Sequence, residues 1–366
     1  MTGKNLHIVF LCSRLDQPGG TEHAVVKTAN LFSSQGQKVT ILVLDEKLPV
    51  FFPVDPAVQL LFEDFNFGIS SKGNKITRKI AFWKHLNKLR SLLKQINAGV
   101  VIGTEYHLSI AASMANRNNQ YCVYAWEHHH FHELEKNRFW NFLFRKYYPK
   151  LNAVICLNAD EAKLFSGLGA NTVVIPNFVS PSSFNKEIRK KRILTVARLS
   201  QVKGIDRLIQ IVPKVLKDHS DWQWLVVGDG PMMEALKNMI SENGLGKQFE
   251  IQPPSGPDLS AIYSQSSIYV MTSRNECFPM VLLEAMSHGL PCVAFDCETG
   301  PRHIIKDNEN GRLVKDGNVE EMISAINEMI DQPSLLNQMS AAACQSISDF
   351  APGKIYQLWK QLLVAE

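Results

Sequence analysis

The sequence predicts an α/β protein of two domains, each built around a parallel β-sheet. Short apolar runs alternate with helical patterns along the chain, and this alternation is typical of parallel sheets covered by helices on both faces. The 366 residues exceed what one hydrophobic core usually serves. Between the two halves lies a stretch rich in Ser, Pro, Asn and Lys. We therefore expect domains over 1–177 and 192–348, a linker over 178–191, and a final helix over 349–366.

The N-terminal half begins with an apolar run at 6–12, which follows Lys4 and resembles the core of a signal peptide. A Ser-Arg-Leu-Asp stretch follows it instead of a small-residue cleavage site, so a buried strand is the better interpretation. Further strands are predicted at 38–44, 99–103 and 123–126, and helices at 22–35 and 80–96.

The C-terminal half repeats this rhythm of strands and helices. Strands are predicted at 192–197, 224–228, 267–272 and 291–296, and helices at 205–218, 232–243 and 280–289. After Pro333 the pattern is helical to the end of the chain. The last helix has an apolar face made of Ile355, Trp359, Leu362 and Leu363.

Composition favours an ordinary globular protein of a reducing compartment. Hydrophobic residues make up 45% of the chain and charged residues 20%, and no run approaches the ~18 apolar residues that a membrane span needs. The seven cysteines form no C-x-x-C pair, and their odd number argues against a secreted disulfide scaffold. We expect reduced thiols and a cytoplasmic protein.

Basic residues cluster in the N-terminal half, although the net charge is only +4. One cluster surrounds the apolar residues of the 80–96 helix: Lys72, Lys75, Arg78, Lys79, Lys84, Lys88, Arg90 and Lys94. A second, at 136–150, mixes bases with Phe139, Trp140, Phe142 and Phe144. Such helices can lie on an anionic membrane surface, or they can simply pack on a sheet. No nucleic-acid-binding module accompanies the charge, so nucleic acid is not an expected partner.

Two carboxylates mark the most informative segment, residues 275–291. Glu276 and Glu284 are separated by seven residues, and Pro279 between them suits the first position of a helix. The free N–H groups of 278–281, apart from Pro279, would then point at the same space as the Glu276 carboxylate. Backbone amides bind phosphate, and a carboxylate accepts hydrogen bonds from hydroxyl groups, so the segment suits a phosphorylated sugar. The alternative is that both glutamates are solvated charges at helix ends.

This segment resembles the E-x7-E signature of retaining glycosyltransferases of family 4. Other stretches that resemble the family's motifs occur in the family's order, at 19–22, 126–128, 174–177, 196–204, 227–230, 300–301 and 310–311. The resemblance covers nearly the whole chain and is densest from 193 to 315. It implies the GT-B fold, in which two Rossmann-like domains face a cleft and the C-terminal helix crosses back onto the N-terminal domain.

The resemblance also implies an activity. The chain would transfer a hexosyl group, with retention, from a UDP-hexose or UDP-N-acetylhexosamine to a glycan or lipid-linked acceptor, without a metal cofactor. Residues 271–315 are most similar to bacterial enzymes that build lipopolysaccharide or capsule. Such an enzyme would be cytoplasmic or peripheral on the inner membrane. A nucleotide-sugar epimerase and a non-catalytic nucleotide-sugar-binding module are the alternatives.

The roles of individual residues follow from the same resemblance. Arg198 and Lys203 would bind the diphosphate and stabilise it as leaving group, since Arg and Lys are suited to phosphate. Glu276 would hold the donor sugar and Glu284 the ribose. Backbone groups would approach the donor at Gly19, Gly20, Phe278, Met280 and Val281. The family usually has Gly where this chain has Cys277, which leaves the identity of the sugar open.

The histidine-rich stretch at 128–132 looks at first like a metal site. However, the zinc motif H-E-x-x-H fails, because Lys136 stands where its second histidine would be needed. The resemblance instead selects His128, directly after Trp126 and Glu127, as an active-site residue that contacts the transferring sugar or stabilises charge near the reacting carbon. A dinucleotide fingerprint at 228–233 also fails, since Met233 replaces its third glycine.

Overall fold

The computed structural model describes residues 6–44, 47–65, 67, 75–134, 136–182, 189–254 and 256–364, with the backbone alone for 75–79. The chain divides into two compact units, 1–175 and 176–366. Residues 183–188 of the predicted linker lie outside the described residues, as does Lys72 of the first basic cluster. Both described ends of the 178–191 segment bond to the second unit: Val179 N donates to Phe350 O (3.1 Å) and Arg189 Nη1 to Ser340 Oγ (3.0 Å).

The first unit is a seven-stranded parallel sheet of order β3-β2-β1-β4-β5-β6-β7. Its strands are β1 His7–Cys12, β2 Lys38–Val43, β3 Gln59–Phe62, β4 Val100–Gly103, β5 Cys122–Glu127, β6 Ala153–Cys156 and β7 Thr172–Val174. Its helices are α1 Gly20–Ser34, α2 Lys75–Gln95, α3 Tyr106–Ala115, α4 Arg138–Tyr147 and α5 Ala159–Ser166. The strand order reverses between β1 and β4, where folds of this kind bind ligands.

The second unit is a six-stranded parallel sheet of order β10-β9-β8-β11-β12-β13. Its strands are β8 Arg192–Val196, β9 Gln223–Val227, β10 Phe249–Gln252, β11 Ile268–Met271, β12 Cys292–Asp296 and β13 Gly311–Lys315. Its helices are α6 Ile205–Asp218, α7 Met233–Glu242, α8 Ser260–Ser264, α9 Met280–Ser287, α10 Val319–Asp331, α11 Pro333–Ser346 and α12 Pro352–Val364. Here the strand order reverses between β8 and β11.

Two Rossmann-like units with parallel sheets confirm the predicted fold class. The central strands β1, β4, β6 and β11 are buried along their whole length, which explains their continuous apolar runs. Each unit has its own hydrophobic core between sheet and helices. In α12, Ile355 and Trp359 are buried, as its apolar pattern predicts, while the packing of this helix on the N-terminal domain stays a prediction. No helix among the described residues is long and apolar enough to span a membrane.

The aromatic side chains of α2 and α4 divide into a buried and an exposed set. Phe82, Trp140 and Phe144 are buried in the core of the first unit, so for these three the second alternative, packing within the domain, is the one that the structure shows. Ile80, Trp83, Phe139 and Phe142 are 63%, 41%, 53% and 62% exposed. We call these four the exposed face of α2 and α4.

Candidate active site

The candidate site of the second unit lies where its strand order reverses. The loop after β8 carries Lys203, and the loop after β11 carries Glu276. Lys203 Nζ donates to Glu276 Oε1 at 2.7 Å, and the two side chains are 32% and 12% exposed. The structure thus joins a cation and a carboxylate that are 73 residues apart in sequence.

Glu276 is held by its side chain and by its backbone. Ser273 Oγ donates to Glu276 Oε1, the oxygen that also accepts from Lys203, at 2.7 Å. The Glu276 carbonyl accepts from Gly300 N and from Thr299 Oγ1, each at 2.8 Å. Thr299 has a φ of +154°, a backbone conformation that residues with a side chain rarely adopt. The conformation of Glu276 is therefore fixed before any ligand binds.

The loop that carries Lys203 is tied to the end of β11. Gly204 has a φ of +69°, and a Cβ there would lie 1.8 Å from the carbonyl oxygen of Thr272. Thr272 Oγ1 also donates to the Lys203 carbonyl at 3.1 Å. Only glycine allows this close approach in this conformation, so Gly204 fixes where the loop passes.

A bidentate ion pair between Arg274 and Asp206 closes the same loop. Arg274 donates to both carboxylate oxygens of Asp206, at 2.6 and 2.5 Å, and also to the Gln201 carbonyl at 2.6 Å. These hydrogen bonds, and the charge of Arg274, hold the pKa of Asp206 below its ordinary value. Arg198, on the same loop, is exposed, and its side chain makes no hydrogen bond or ion pair with a described residue.

Helix α9 brings the second carboxylate and a set of backbone donors to this site. It begins at Met280, so Pro279 is the residue before the helix and not its first residue. The amides of Met280 and Val281 lie at the helix N-terminus, where N–H groups lack intrahelical partners, and Phe278 precedes it. Glu284, more than one turn along, accepts a hydrogen bond from Tyr263 Oη at 3.1 Å. Cys277, the departure from the family pattern, is buried.

Gly19 and Gly20 lie where α1 begins, after the C-terminal end of β1. A Cβ on Gly20 would meet no atom within 4 Å, and the three atoms nearest to one on Gly19 would all belong to the carboxylate of Glu22, a flexible side chain. Gly19 also has an ordinary extended φ of −91°. The described fold itself therefore gives little reason for glycine at these two positions.

His128 follows the C-terminal end of β5 and is half-buried. Its ring packs on Trp126 with centroids 4.4 Å apart, and its Nε2 atom is buried without a hydrogen-bond partner among the described residues. Burial, and to a smaller extent the neighbouring His129, lower the pKa of His128 to about 3. The imidazole is therefore neutral at physiological pH, and its Nε2 has hydrogen-bonding capacity to offer a ligand.

Buried hydrogen bonds fix the chain on both sides of His128. Before it, the buried carboxylate of Glu127 accepts from the Tyr148 hydroxyl. After it, Glu161 bonds His130 Nδ1 at 2.5 Å and accepts from the Phe131 amide at 3.0 Å. Burial raises the pKa of Glu127 to about 7, although the hydrogen bond from Tyr148 acts in the opposite direction and lowers it. The histidine-rich stretch is thus a mixed one, with a structural residue at 130 and exposed residues at 129 and 132.

Comparison with known proteins agrees with this fold. Two family models match adjacent parts of the chain: Glycosyltransferase Family 4 over residues 18–183, and Glycosyl transferases group 1 over 179–346. The chain belongs to glycosyltransferase family 4. This family 4 enzyme is 29% identical to an uncharacterized glycosyltransferase of Haemophilus influenzae, over 97% of this chain and 99% of the relative.

Two further comparisons extend the assignment. The family 4 enzyme is 25% identical to the amylovoran biosynthesis glycosyltransferase AmsD of Erwinia amylovora, over 97% of this chain and 99% of the relative. A crystal structure of S. aureus TarM, a G117R mutant in complex with fondaparinux, α-GlcNAc-glycerol and UDP, matches with a TM-score of 0.81. That match has 16% identity over 98% of this chain and 99% of TarM, and it shows a shared fold. The epimerase and the binding module gain no support from these matches.

The sequence missed the residues that hold the candidate site together. Ser273, three residues before Glu276, could have been noticed from its spacing alone. Tyr263, Thr299 and Asp206 are remote from the residues they contact and carry no local signal. The sequence did identify Lys203 and Glu276, but not that they contact each other.

Proposed function

We propose that this glycosyltransferase moves a hexosyl group, with retention, from a UDP-sugar to a glycan or lipid-linked acceptor of a bacterial surface polysaccharide. The observation that carries the proposal is the Lys203–Glu276 pair beside the N-terminus of α9. It combines a cation and backbone amides for phosphate with a carboxylate for sugar hydroxyls. The UDP bound in TarM and the polysaccharide named for AmsD support the donor and the acceptor class.

In this proposal the diphosphate is bound by Lys203 and Arg198, together with the backbone amides of Phe278, Met280 and Val281. A nucleotide diphosphate carries about two negative charges near neutral pH, and Arg and Lys form charge-assisted hydrogen bonds with its oxygens. The same contacts stabilise the charge that develops as the diphosphate leaves. Protein cations and amides then supply the neutralisation, and we propose that no metal ion is needed.

The two carboxylates are assigned to different parts of the donor. Glu276 accepts hydrogen bonds from the hexose, and Glu284 accepts them from the ribose. No covalent glycosyl-enzyme is invoked: the acceptor oxygen forms the new bond on the face from which the diphosphate departs. The sugar–phosphate bond breaks, and the acceptor proton passes to the departing phosphate oxygen. Catalysis then depends on holding both substrates in position and on stabilising the leaving group.

The first unit contributes His128, Gly19 and Gly20 to the proposal. Neutral His128 offers its unpartnered Nε2 to the transferring sugar. Since the described fold gives little reason for glycine at 19 and 20, close approach of a ligand to the backbone is the reason we assign.

We assign the exposed face of α2 and α4 to an anionic membrane surface. Neither helix contains an acidic residue, and both contain several bases. The helices lie side by side, since the Phe82 and Phe139 ring centroids are 6.0 Å apart. Each base near such a membrane contributes about 1 kcal/mol, which gives reversible attachment that salt weakens. One of the bases, Lys88, already pairs with Glu63 at 2.6 Å.

Vesicle co-sedimentation tests this surface. The protein should pellet with phosphatidylglycerol vesicles at low salt, and much less at high salt or with phosphatidylcholine alone. Phe139→Ser combined with Phe142→Ser should weaken binding, whereas Leu358→Ser, which removes an exposed apolar side chain of the second unit, should not. No binding at low salt would leave α2 and α4 as ordinary packing helices.

Transfer itself is tested by following UDP release from a panel of UDP-hexoses and UDP-N-acetylhexosamines. UDP should appear together with glycosylated acceptor, and only when acceptor is present. Lys203→Ala and Arg198→Ala should each lower kcat/KM about ten- to a hundredfold, because a charge-assisted phosphate contact is worth roughly 1.5–3 kcal/mol. Isomerised donor without acceptor would favour an epimerase, and UDP binding without turnover would favour a binding module.

A further inference from the structure

We propose that Ser273 and Tyr263 are positioning residues, each of which fixes one oxygen of a donor-binding carboxylate. Ser273 orients Glu276 for the sugar, and Tyr263 orients Glu284 for the nucleotide. This inference rests on the proposed function, because it takes from there the part of the donor that each carboxylate binds. It adds the two hydroxyl donors that separate sugar recognition from nucleotide recognition.

Ser273 acts on a single oxygen of Glu276. Its side chain is 2% exposed, and its Oγ donates to Oε1 at 2.7 Å, beside the 2.7 Å contact from Lys203 to the same atom. Oε2 accepts no hydrogen bond from a described residue. A carboxylate oxygen that already accepts hydrogen bonds from two strong donors has little capacity to accept another, so a sugar hydroxyl is directed to Oε2.

Ser273 becomes more important once a donor binds. In the proposed site Lys203 also interacts with the diphosphate, which draws part of its charge away from Glu276. The Ser273 hydroxyl then remains as the contact that holds the carboxylate in its rotamer. The Glu276 backbone is fixed independently by Thr299 and Gly300, so Ser273 governs the side chain alone.

Tyr263 has the corresponding relation to Glu284. Its hydroxyl donates to Oε2 at 3.1 Å, and its buried ring stacks on His288 with centroids 5.5 Å apart and planes at 19°. Burial is the main cause that raises the pKa of Tyr263, and the charge of Glu284 raises this pKa further. The hydroxyl therefore stays protonated and can donate a hydrogen bond. A rigid aromatic ring on α8 thus fixes the direction of a carboxylate on α9.

The test is a double comparison of two ligands and two variants. Ser273→Ala should lower kcat/KM for the UDP-sugar about tenfold, the value of one hydrogen bond to a charged group, and leave the calorimetric Kd for UDP unchanged. Tyr263→Phe should raise the Kd for UDP about tenfold and leave kcat at saturating donor close to the wild-type value. Ser273→Thr keeps a hydroxyl and should restore most of the activity.

Two matched variants control for the loss of a buried hydroxyl. Ser267 Oγ donates to the Lys190 carbonyl at 2.7 Å, at the opposite end of β11 from Ser273. Tyr121 Oη donates to the Ala112 carbonyl at 3.2 Å in the first unit. Ser267→Ala and Tyr121→Phe should lose about as much stability as Ser273→Ala and Tyr263→Phe. Neither control should change kcat/KM for the UDP-sugar or the Kd for UDP. If Ser273→Ala and Tyr263→Phe behave like these controls, the proposal is wrong.

Glu276→Gln and Glu284→Gln separate this proposal from the function on which it rests. If neither change affects donor use, the assignment of the two carboxylates fails. If both impair donor use while Ser273→Ala and Tyr263→Phe do not, only the positioning role fails. If Ser273→Ala weakens UDP and the UDP-sugar equally, the division between the sugar and the nucleotide is overturned.

Discussion

Replacement of Gly204 by Ala should damage both stability and transfer, for two separable reasons. At a φ of +69° an alanine costs about 1–2 kcal/mol relative to glycine, because its Cβ crowds its own backbone. The same Cβ would lie 1.8 Å from the Thr272 carbonyl oxygen, which belongs to backbone and cannot swing away. The loop or the end of β11 must therefore move, at a further cost of about 1–3 kcal/mol.

Gly244 provides the matched control. Its φ is +65°, nearly that of Gly204, yet a Cβ there would meet nothing within 4 Å. Gly244→Ala should therefore incur only the conformational cost. In a unit of this size 1 kcal/mol corresponds to about 3 °C, so Gly204→Ala should melt roughly 3–9 °C below Gly244→Ala.

Activity supplies the second readout. Because Thr272 bonds the Lys203 carbonyl, displacement of the loop displaces the ammonium group proposed for the diphosphate. Gly204→Ala should lose most of its kcat/KM for the UDP-sugar at a temperature where it remains folded, whereas Gly244→Ala should keep it. Equal melting temperatures and equal activity in the two variants would refute the argument from close approach.

Three further expectations concern ionisation and metals. Because the pKa of buried Glu127 is raised from 4.5 to about 7, its ionisation costs stability as pH rises through this window, up to about 3 kcal/mol above it. Glu127→Gln should remove this loss of stability. If the melting temperature falls between pH 5 and pH 8 by the same amount in the variant as in the wild type, this expectation is wrong. Since His128 is already neutral, a His128→Gln enzyme should have a lower kcat, but its kcat should vary with pH as that of the wild type does from about pH 6 to 9. If the wild-type kcat changes with pH in this range and the variant's does not, the imidazole titrates there. Dialysis against EDTA should leave transfer intact, and activity restored only by added Mg²⁺ or Mn²⁺ would overturn the metal-free mechanism.

The sequence predicted most of the buried strands but not β6, and it missed the edge strands β3, β7, β10 and β13. β1, β4 and β11 are buried on both faces, so they appear as largely continuous apolar runs between polar or glycine residues. The edge strands β3, β10 and β13 alternate or mix polar with apolar residues, because part of each is exposed. α3 is largely buried and small-residue rich, so it lacks the polar face by which an amphipathic helix is recognised.

The candidate site divides in the same way between local and remote information. Lys203, Glu276 and Glu284 belong to motifs that a sequence displays directly. Their partners Tyr263 and Thr299 are brought to them by the order of strands and by a strained backbone, neither of which leaves a sequence pattern. The aromatic patch shows the same limit, since helical spacing does not distinguish buried Phe82 from its exposed neighbour Trp83.

The ion pair between Lys203 and Glu276 has a consequence for which anions the proposed site admits. A bare phosphate that recruits the ammonium group leaves the carboxylate poorly compensated, and that loss opposes its binding. A nucleotide-sugar brings hydroxyls that can donate to the same carboxylate while its diphosphate takes the ammonium group. The pair therefore favours ligands that carry both parts over the inorganic anions and free nucleotides that surround the enzyme. Since Lys203 is exchanged between partners instead of being newly neutralised, the salt dependence of donor affinity should come mainly from Arg198.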